Sequence, residues 1–138
     1  MTQQTNGKLS DPNIRKFFES KNLVFLSSLM EDGSPHVTPT WVDIENGNIV
    51  INTAIGRIKQ KNISRDPRIA LSAVDQYNQY EMVTVRGKVI EQITGDAAEK
   101  HIDKLAKKYI GKDKFPGWYN GEERVILKIK PEKVFHMI

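Results

Sequence analysis

Cysteine is absent from the 138-residue chain. That removes disulfides, thiolate metal sites and a cysteine nucleophile together. No stretch approaches the ~20 consecutive apolar residues of a membrane-spanning helix. The N-terminal segment from Met1 to Lys8 is polar and lacks a secretory apolar core. A cytoplasmic location without membrane contact is therefore expected. Histidine is scarce: His36, His101 and His136 lie far apart with no metal-ligand spacing, and each is expected to be a packing or surface residue. Gly-x-Ser-x-Gly, Walker and dinucleotide motifs are missing. The carboxylate pairs Glu31/Asp32 and Glu122/Glu123 fall in turn-like sequence, so hydrolysis has no evident machinery.

What is present is a modest excess of positive charge. The formal net charge is +4 and the sequence pI is about 9.3. Such a balance admits a phosphorylated cofactor, a polycarboxylate or nucleic acid and does not choose among them. There is no long basic block of the nucleic-acid-tail kind. With 38% hydrophobic and 28% charged residues, one soluble domain over 1–138 is expected, its residues 1–9 forming a flexible arm.

Ser10-Asp11-Pro12 reads as a helix start, and Ile14, Phe17 and Phe18 follow at amphipathic spacing. Strands are expected at 23–30, at 35–44 after an Asp32-Gly33 turn, and at 49–53 after the turn Glu45-Asn46-Gly47-Asn48, together forming a meander. Further strands are expected at 69–74, at 80–93 with a bulge at Gly87, and at 122–138 with an interruption at Pro131. Between the last two, Thr94 is expected to cap a helix over 95–110 that buries Ala98, Ile102, Leu105 and Tyr109 and ends at Gly111. The pattern predicts a mainly β protein with flanking helices, an antiparallel sheet able to close into a barrel.

The chain is organised around Ile49–Pro67. A β-branched strand runs into Gly56, and a short helix over 57–65 ends at Asp66-Pro67. Arg57, Lys59 and Lys61 crowd the start of that helix, where the backbone dipole disfavours cations. A bound anion would reverse the sign of that effect. Ile58 and Ile63 are expected to mark the buried face, with Lys59 and Asn62 between them. Either this is a phosphate site or it is a solvated basic helix with a snorkelling lysine. The aromatics Trp41, Tyr77, Tyr80, Trp118 and Tyr119 suit a planar ligand or core packing.

Several segments resemble the flavin-binding split β-barrel superfamily of pyridoxamine 5'-phosphate oxidase: Asp32-Gly-Ser-Pro-His-Val, Thr40-Trp-Val-Asp, the run from Asn52 to Ile69, Val83-Thr-Val-Arg-Gly-Lys-Val, Lys108-Tyr-Ile-Gly and Arg124-Val-Ile-Leu. Within it the chain is most similar to the deazaflavin (coenzyme F420)-dependent reductase branch. The resemblance implies a six- to seven-stranded antiparallel split β-barrel of the FMN-binding type, and a homodimer with cofactor at the interface. It implies that Arg57 and Lys59 grip the cofactor phosphate, helped by Lys61 and Asn62. Thr40, Trp41, Asn52 and Thr53 would line the tricyclic ring, and Trp118 would come from the other subunit. Lys104, Lys107, Lys108, Lys112 and Lys114 are available as a basic rim for an oligoglutamate tail.

The expected activity is hydride transfer between coenzyme F420 and a small unsaturated or conjugated organic substrate. Alternatives are an FMN-binding oxidase or reductase of the same fold, a non-catalytic carrier of cofactor or a haem-related ligand, and a nucleic-acid-binding barrel. No catalytic residue carries over; the proton would come from solvent or from a side chain such as Tyr80 or His36.

Overall fold

A computed structural model describes residues 4–117 and 121–137. The elements, in chain order, are β1 (Gln4–Asn6), α1 (Pro12–Glu19), β2 (Val24–Leu29), β3 (Pro35–Thr40), β4 (Asp43–Glu45), β5 (Asn48–Ala54), α2 (Ile58–Arg65), β6 (Arg68–Val74), β7 (Met82–Ile93), α3 (Asp96–Ile110) and β8 (Arg124–Met137).

Every strand pairing is antiparallel, and the sheet runs β3-β2-β6-β7-β8-β5-β4, with β1 added to the far end of β8. The two ends of that path, β3 and β4, are neighbours in the chain, separated only by Trp41 and Val42. Two residues cannot span a flat sheet of this width, because a strand-to-strand step is about 4.8 Å. The sheet must therefore roll until its edges nearly meet, leaving a slit between β3 and β4. The result is an antiparallel split barrel.

The barrel interior is one apolar cluster. Asp11 caps α1 by accepting a hydrogen bond from the Asn13 amide, and Pro12 takes the first helical position. Ile14, Phe17 and Phe18 then fall on one face and are fully buried. Each contributes about 2–3 kcal/mol through its burial. From β5, Ile49 and Ile51 face the interior. Val50 faces outward and packs with Ala98 of α3 and Ile126 of β8 in a second cluster. So β5 is buried on both sides, and Asn52, on the Val50 side, lies beneath α3.

Several expectations need correction. Residues 35–44 form two strands rather than one, because the chain changes sheet edge at Trp41-Val42. The expected meander is therefore broken: β5 pairs with β4 and β8, not with β3. Part of the N-terminal arm joins the sheet as β1, which brings the strand count to eight in place of six or seven. Pro131 does not interrupt β8, since it sits opposite Gly87 at a register shift. A Cβ at Gly87 would collide with the Lys130 carbonyl, which explains glycine at that bulge. Thr94 does not cap α3; Gly95 occupies the cap position without a side-chain bond. Gly111 ends α3 in the left-handed conformation, as expected.

Candidate functional site

The helix α2 begins as the sequence suggests. Gly56 turns the chain with φ of 91°, a conformation that favours glycine. Arg57 is the N-cap residue, makes no side-chain cap bond, and no acid lies in the first turn. A cation at this end costs about 0.3–1 kcal/mol unless an anion stands beside it.

The three cations differ sharply in what they touch. Arg57 Nη2 donates to Glu122 Oε1 at 2.6 Å. Lys61 is exposed. Lys59 is half-buried, and no described residue partners its ammonium group. Its pKa is lowered, first by burial and then by repulsion from Arg57 and Arg124. Asn62 departs from the expectation: its side chain is engaged inside the protein. Its amide nitrogen donates to Ser28 Oγ at 3.0 Å, and its oxygen accepts from Arg65 at 2.8 Å. Ile58 departs too. It is 51% exposed, and Ile63 is the apolar residue that α2 buries.

A cleft of about 260 Å³ opens at the barrel slit, lined by Leu23, Pro39, Thr40, Trp41, Asn52, Ile102, Leu105, Phe115 and Arg124. Trp41 stacks on Tyr109, with centroids 5.3 Å apart and planes 6° from parallel, and meets Phe115 edge-on. The Tyr109 hydroxyl accepts from the Val42 amide at 3.1 Å and donates to the Asn22 carbonyl at 2.6 Å. Burial pushes its pKa up to about 12, so it remains a neutral phenol. The crossover that closes the barrel is thus also the wall of the cleft.

A chain of polar groups that no sequence motif announces joins the cleft to the cations. Glu122 Oε1 accepts from Arg57 and lies 3.2 Å from Arg124 Nη1. Arg124 Nε donates to Asn52 Oδ1 at 2.9 Å. Asn52 Nδ2 donates to the Ala98 carbonyl at 2.9 Å and lies 3.1 Å from His101 Nδ1. Arginine can only donate and a carbonyl can only accept, so the Asn52 amide has one permitted orientation. His101 Nδ1 must then accept, which places the ring proton on Nε2. That atom is buried without a partner. Burial holds the His101 pKa down at about 4, while Asp43 pulls upward and Lys104 and Arg124 push it further down. The ring is neutral near pH 7.

Thr40, Trp41 and Asn52 therefore share the cleft, and Arg57 and Lys59 stand at one end of the polar chain. Thr53 does not line the cleft: it is buried, and strand alternation turns it to the face opposite Asn52. Trp118 lies outside the described residues. Neither Tyr80 nor His36 lines the cleft; Tyr80 is 83% exposed on the β6–β7 loop. Three lysines of the expected rim stay exposed and make surface ion pairs. Lys104, Lys107 and Lys114 pair with Asp43, Asp113 and Asp103. Lys108 turns inward to the Phe18 and Val42 carbonyls. Among the described residues there is no group of three or more potential metal ligands, and no helix is long and apolar enough to cross a membrane.

The antiparallel split barrel, with a ring-lined cleft beside a strand–turn–helix cation site, defines a class. The sequence profile described as pyridoxamine 5'-phosphate oxidase matches residues 10–138, and the chain belongs to that family. Among solved structures, it is similar to an F420 reductase at 26% identity and a TM-score of 0.77, covering 87% of this chain and 94% of the other. A conserved hypothetical protein from Mycobacterium tuberculosis matches at 23% identity and a TM-score of 0.73, over 91% and 82%. HupZ from Group A Streptococcus matches at 15% identity and a TM-score of 0.61, over 88% and 89%. These last two likenesses speak to the fold alone. Among proteins of curated function, none matches the sequence.

Proposed function

We propose that this protein is a dimeric oxidoreductase that binds a phosphorylated tricyclic cofactor, coenzyme F420 or FMN, and passes a hydride to a small conjugated substrate. The observation that carries the reading is Lys59, a half-buried cation with no described partner beside an uncapped helix start. Burying an unpaired cation is costly. A phosphoryl group among Lys59, Arg57 and the first amides of α2 would offset that cost. The likeness to an F420 reductase favours the deazaflavin, and FMN remains the second candidate within the family.

The cofactor, when bound, supplies the hydride chemistry. The chain's residues hold and orient it. Arg57 and Lys59 balance phosphoryl charge, and Trp41, backed by Tyr109, offers a flat wall. Arg124 and Asn52 present polar groups to the ring, while Ile102, Leu105 and Leu23 exclude water.

A second copy of the chain completes the site. The cleft of one chain, about 260 Å³, falls below the ~300–1,000 Å³ usual for such ligands. Next to it, the outer sheet face is apolar and open. Leu23, Phe25 and Val37 are 46%, 43% and 61% exposed, and Phe25 pairs with Pro39 on the cleft rim. That strip continues across Ala70, Thr84 and Phe135, a surface suited to a partner copy.

Titrating the wild-type protein and Lys59→Ala with FMN and with coenzyme F420 tests the reading and selects the cofactor. The substitution should weaken binding of the true cofactor by ~1.5–3 kcal/mol. Equal affinity in the two proteins would refute the phosphoryl role. Reduced cofactor that binds tightly yet gives no turnover with any conjugated acceptor would favour a carrier over an enzyme.

A further inference from the structure

We propose that Glu122 is the internal counter-anion of the site: it holds Arg57 until a phosphoryl group replaces it, and so sets which anions gain access. The proposal rests on the reading of Arg57 and Lys59 as anion ligands and adds a specificity-determining residue to it.

The arrangement of the carboxylate is lopsided. Oε1 receives both Arg57 Nη2, at 2.6 Å, and Arg124 Nη1, at 3.2 Å. Oε2 is buried and has no donor. Arg57 is thus held through a single oxygen and not through the two-pronged fork that would lock a guanidinium. The two arginines also differ in freedom. The Arg124 side chain is 6% exposed and also tied through Nε to Asn52. The Arg57 side chain is 49% exposed, so water compensates much of what it loses on release. If an anion arrives, Arg57 is the partner able to leave, and Glu122 stays with Arg124.

Charge counting gives the consequence. Glu122 pairs with Arg57 and Arg124, and Lys59 feels both arginines; one carboxylate against three cations leaves two positive charges uncompensated. A phosphoryl group carrying roughly −1.5 to −2 matches that excess and competes well with Glu122 for Arg57. A singly charged carboxylate or chloride offers Arg57 nothing that Glu122 does not already supply. Glu122 therefore excludes weak anions from a site that would otherwise attract them. Its bond to Arg124 also links occupancy of the anion site to the guanidinium that lines the cleft.

The test is calorimetric titration of inorganic phosphate and of acetate into the cofactor-free protein, comparing wild type, Glu122→Gln and Arg57→Ala. Glu122→Gln should bind phosphate about tenfold more tightly, the equivalent of freeing one charge-assisted contact. It should also acquire measurable acetate binding, while none is expected for the wild type. Combining it with Arg57→Ala should abolish both gains. Should Glu122→Gln fail to fold because Arg124 has lost its carboxylate, Glu122→Asp serves instead. It keeps a negative charge near Arg124 while drawing the shared oxygen back by one methylene from the freer Arg57, and should show the same tightening. Unchanged phosphate affinity in the folded Glu122 variant, with Arg57→Ala still weakening it, overturns the proposal and leaves the anion site standing. If Arg57→Ala and Lys59→Ala both leave phosphate binding intact, the anion site fails, and this proposal with it.

Discussion

Lys59 and Lys108 pose the same physical problem and solve it differently. Both are half-buried and both have a lowered pKa whose first cause is burial. Lys108 answers with geometry: its ammonium donates to the Phe18 carbonyl at 2.6 Å and the Val42 carbonyl at 2.7 Å. That tie fastens the end of α1 and the barrel crossover to α3. Lys59 makes no such bond, and the charges that act on it are the like-signed Arg57 and Arg124. A partnered buried lysine belongs to the fold. One left unpartnered, among like charges at a helix start, is explained by something outside the chain.

The sharpest way to break the comparison is Lys108→Met, which keeps the aliphatic stem and removes the ammonium. Two buried carbonyls lose a charged donor, at about 1.5–3 kcal/mol per bond. A stability loss of about 3–4 kcal/mol in urea unfolding is expected, with little change in ligand affinity while the protein remains folded. His101 sharpens the contrast, because it is a third buried basic group and meets burial by giving up its charge. Its folded-state pKa is about 4, below the ordinary value near 6.5, so the unfolded chain binds a proton that the folded chain does not. Stability should therefore fall as pH drops from about 6.5 to about 4, by about 3 kcal/mol in total, since each pH unit between those two values is worth about 1.36 kcal/mol. His101→Gln should flatten that slope. Asp43, Lys104 and Arg124 are the charges that face the ring. Smallest is the stability effect of Lys59→Ala, expected within about 0.5 kcal/mol of wild type or slightly stabilising. Its ligand affinity falls by ~1.5–3 kcal/mol. If Lys59→Ala destabilised the fold while Lys108→Met lost only ligand, the comparison would be inverted.

The legible parts of this molecule are those carried by short-range signals. Asp11-Pro12, Gly56, Asp66-Pro67, Gly87 and Gly111 each mark a turn, cap or bulge within a few residues of themselves. The basic start of α2 is visible because the helix dipole makes cations there unfavourable. What stays hidden depends on pairs distant in the chain. Asn52, His101, Glu122 and Arg124 come from β5, α3, the turn before β8 and the start of β8, and only the barrel's closure brings them together. The break at Trp41-Val42 is hidden because an unbroken strand and two strands on opposite sheet edges share the same alternation. Ile58 misleads for a geometric reason: it lies five residues before Ile63, which is ~140° away around a helix at 100° per residue. The lysines of α3 look like a uniform basic face, and the sequence holds no sign that Lys108 turns inward.

The most direct measurement is a crystal structure of the cofactor-bound protein. The phosphoryl oxygens are expected within hydrogen-bond reach, about 3 Å, of Lys59 Nζ and the Arg57 guanidinium, with Arg57 swung off Glu122. A phosphoryl group docked elsewhere, with Lys59 still unpartnered, would contradict this.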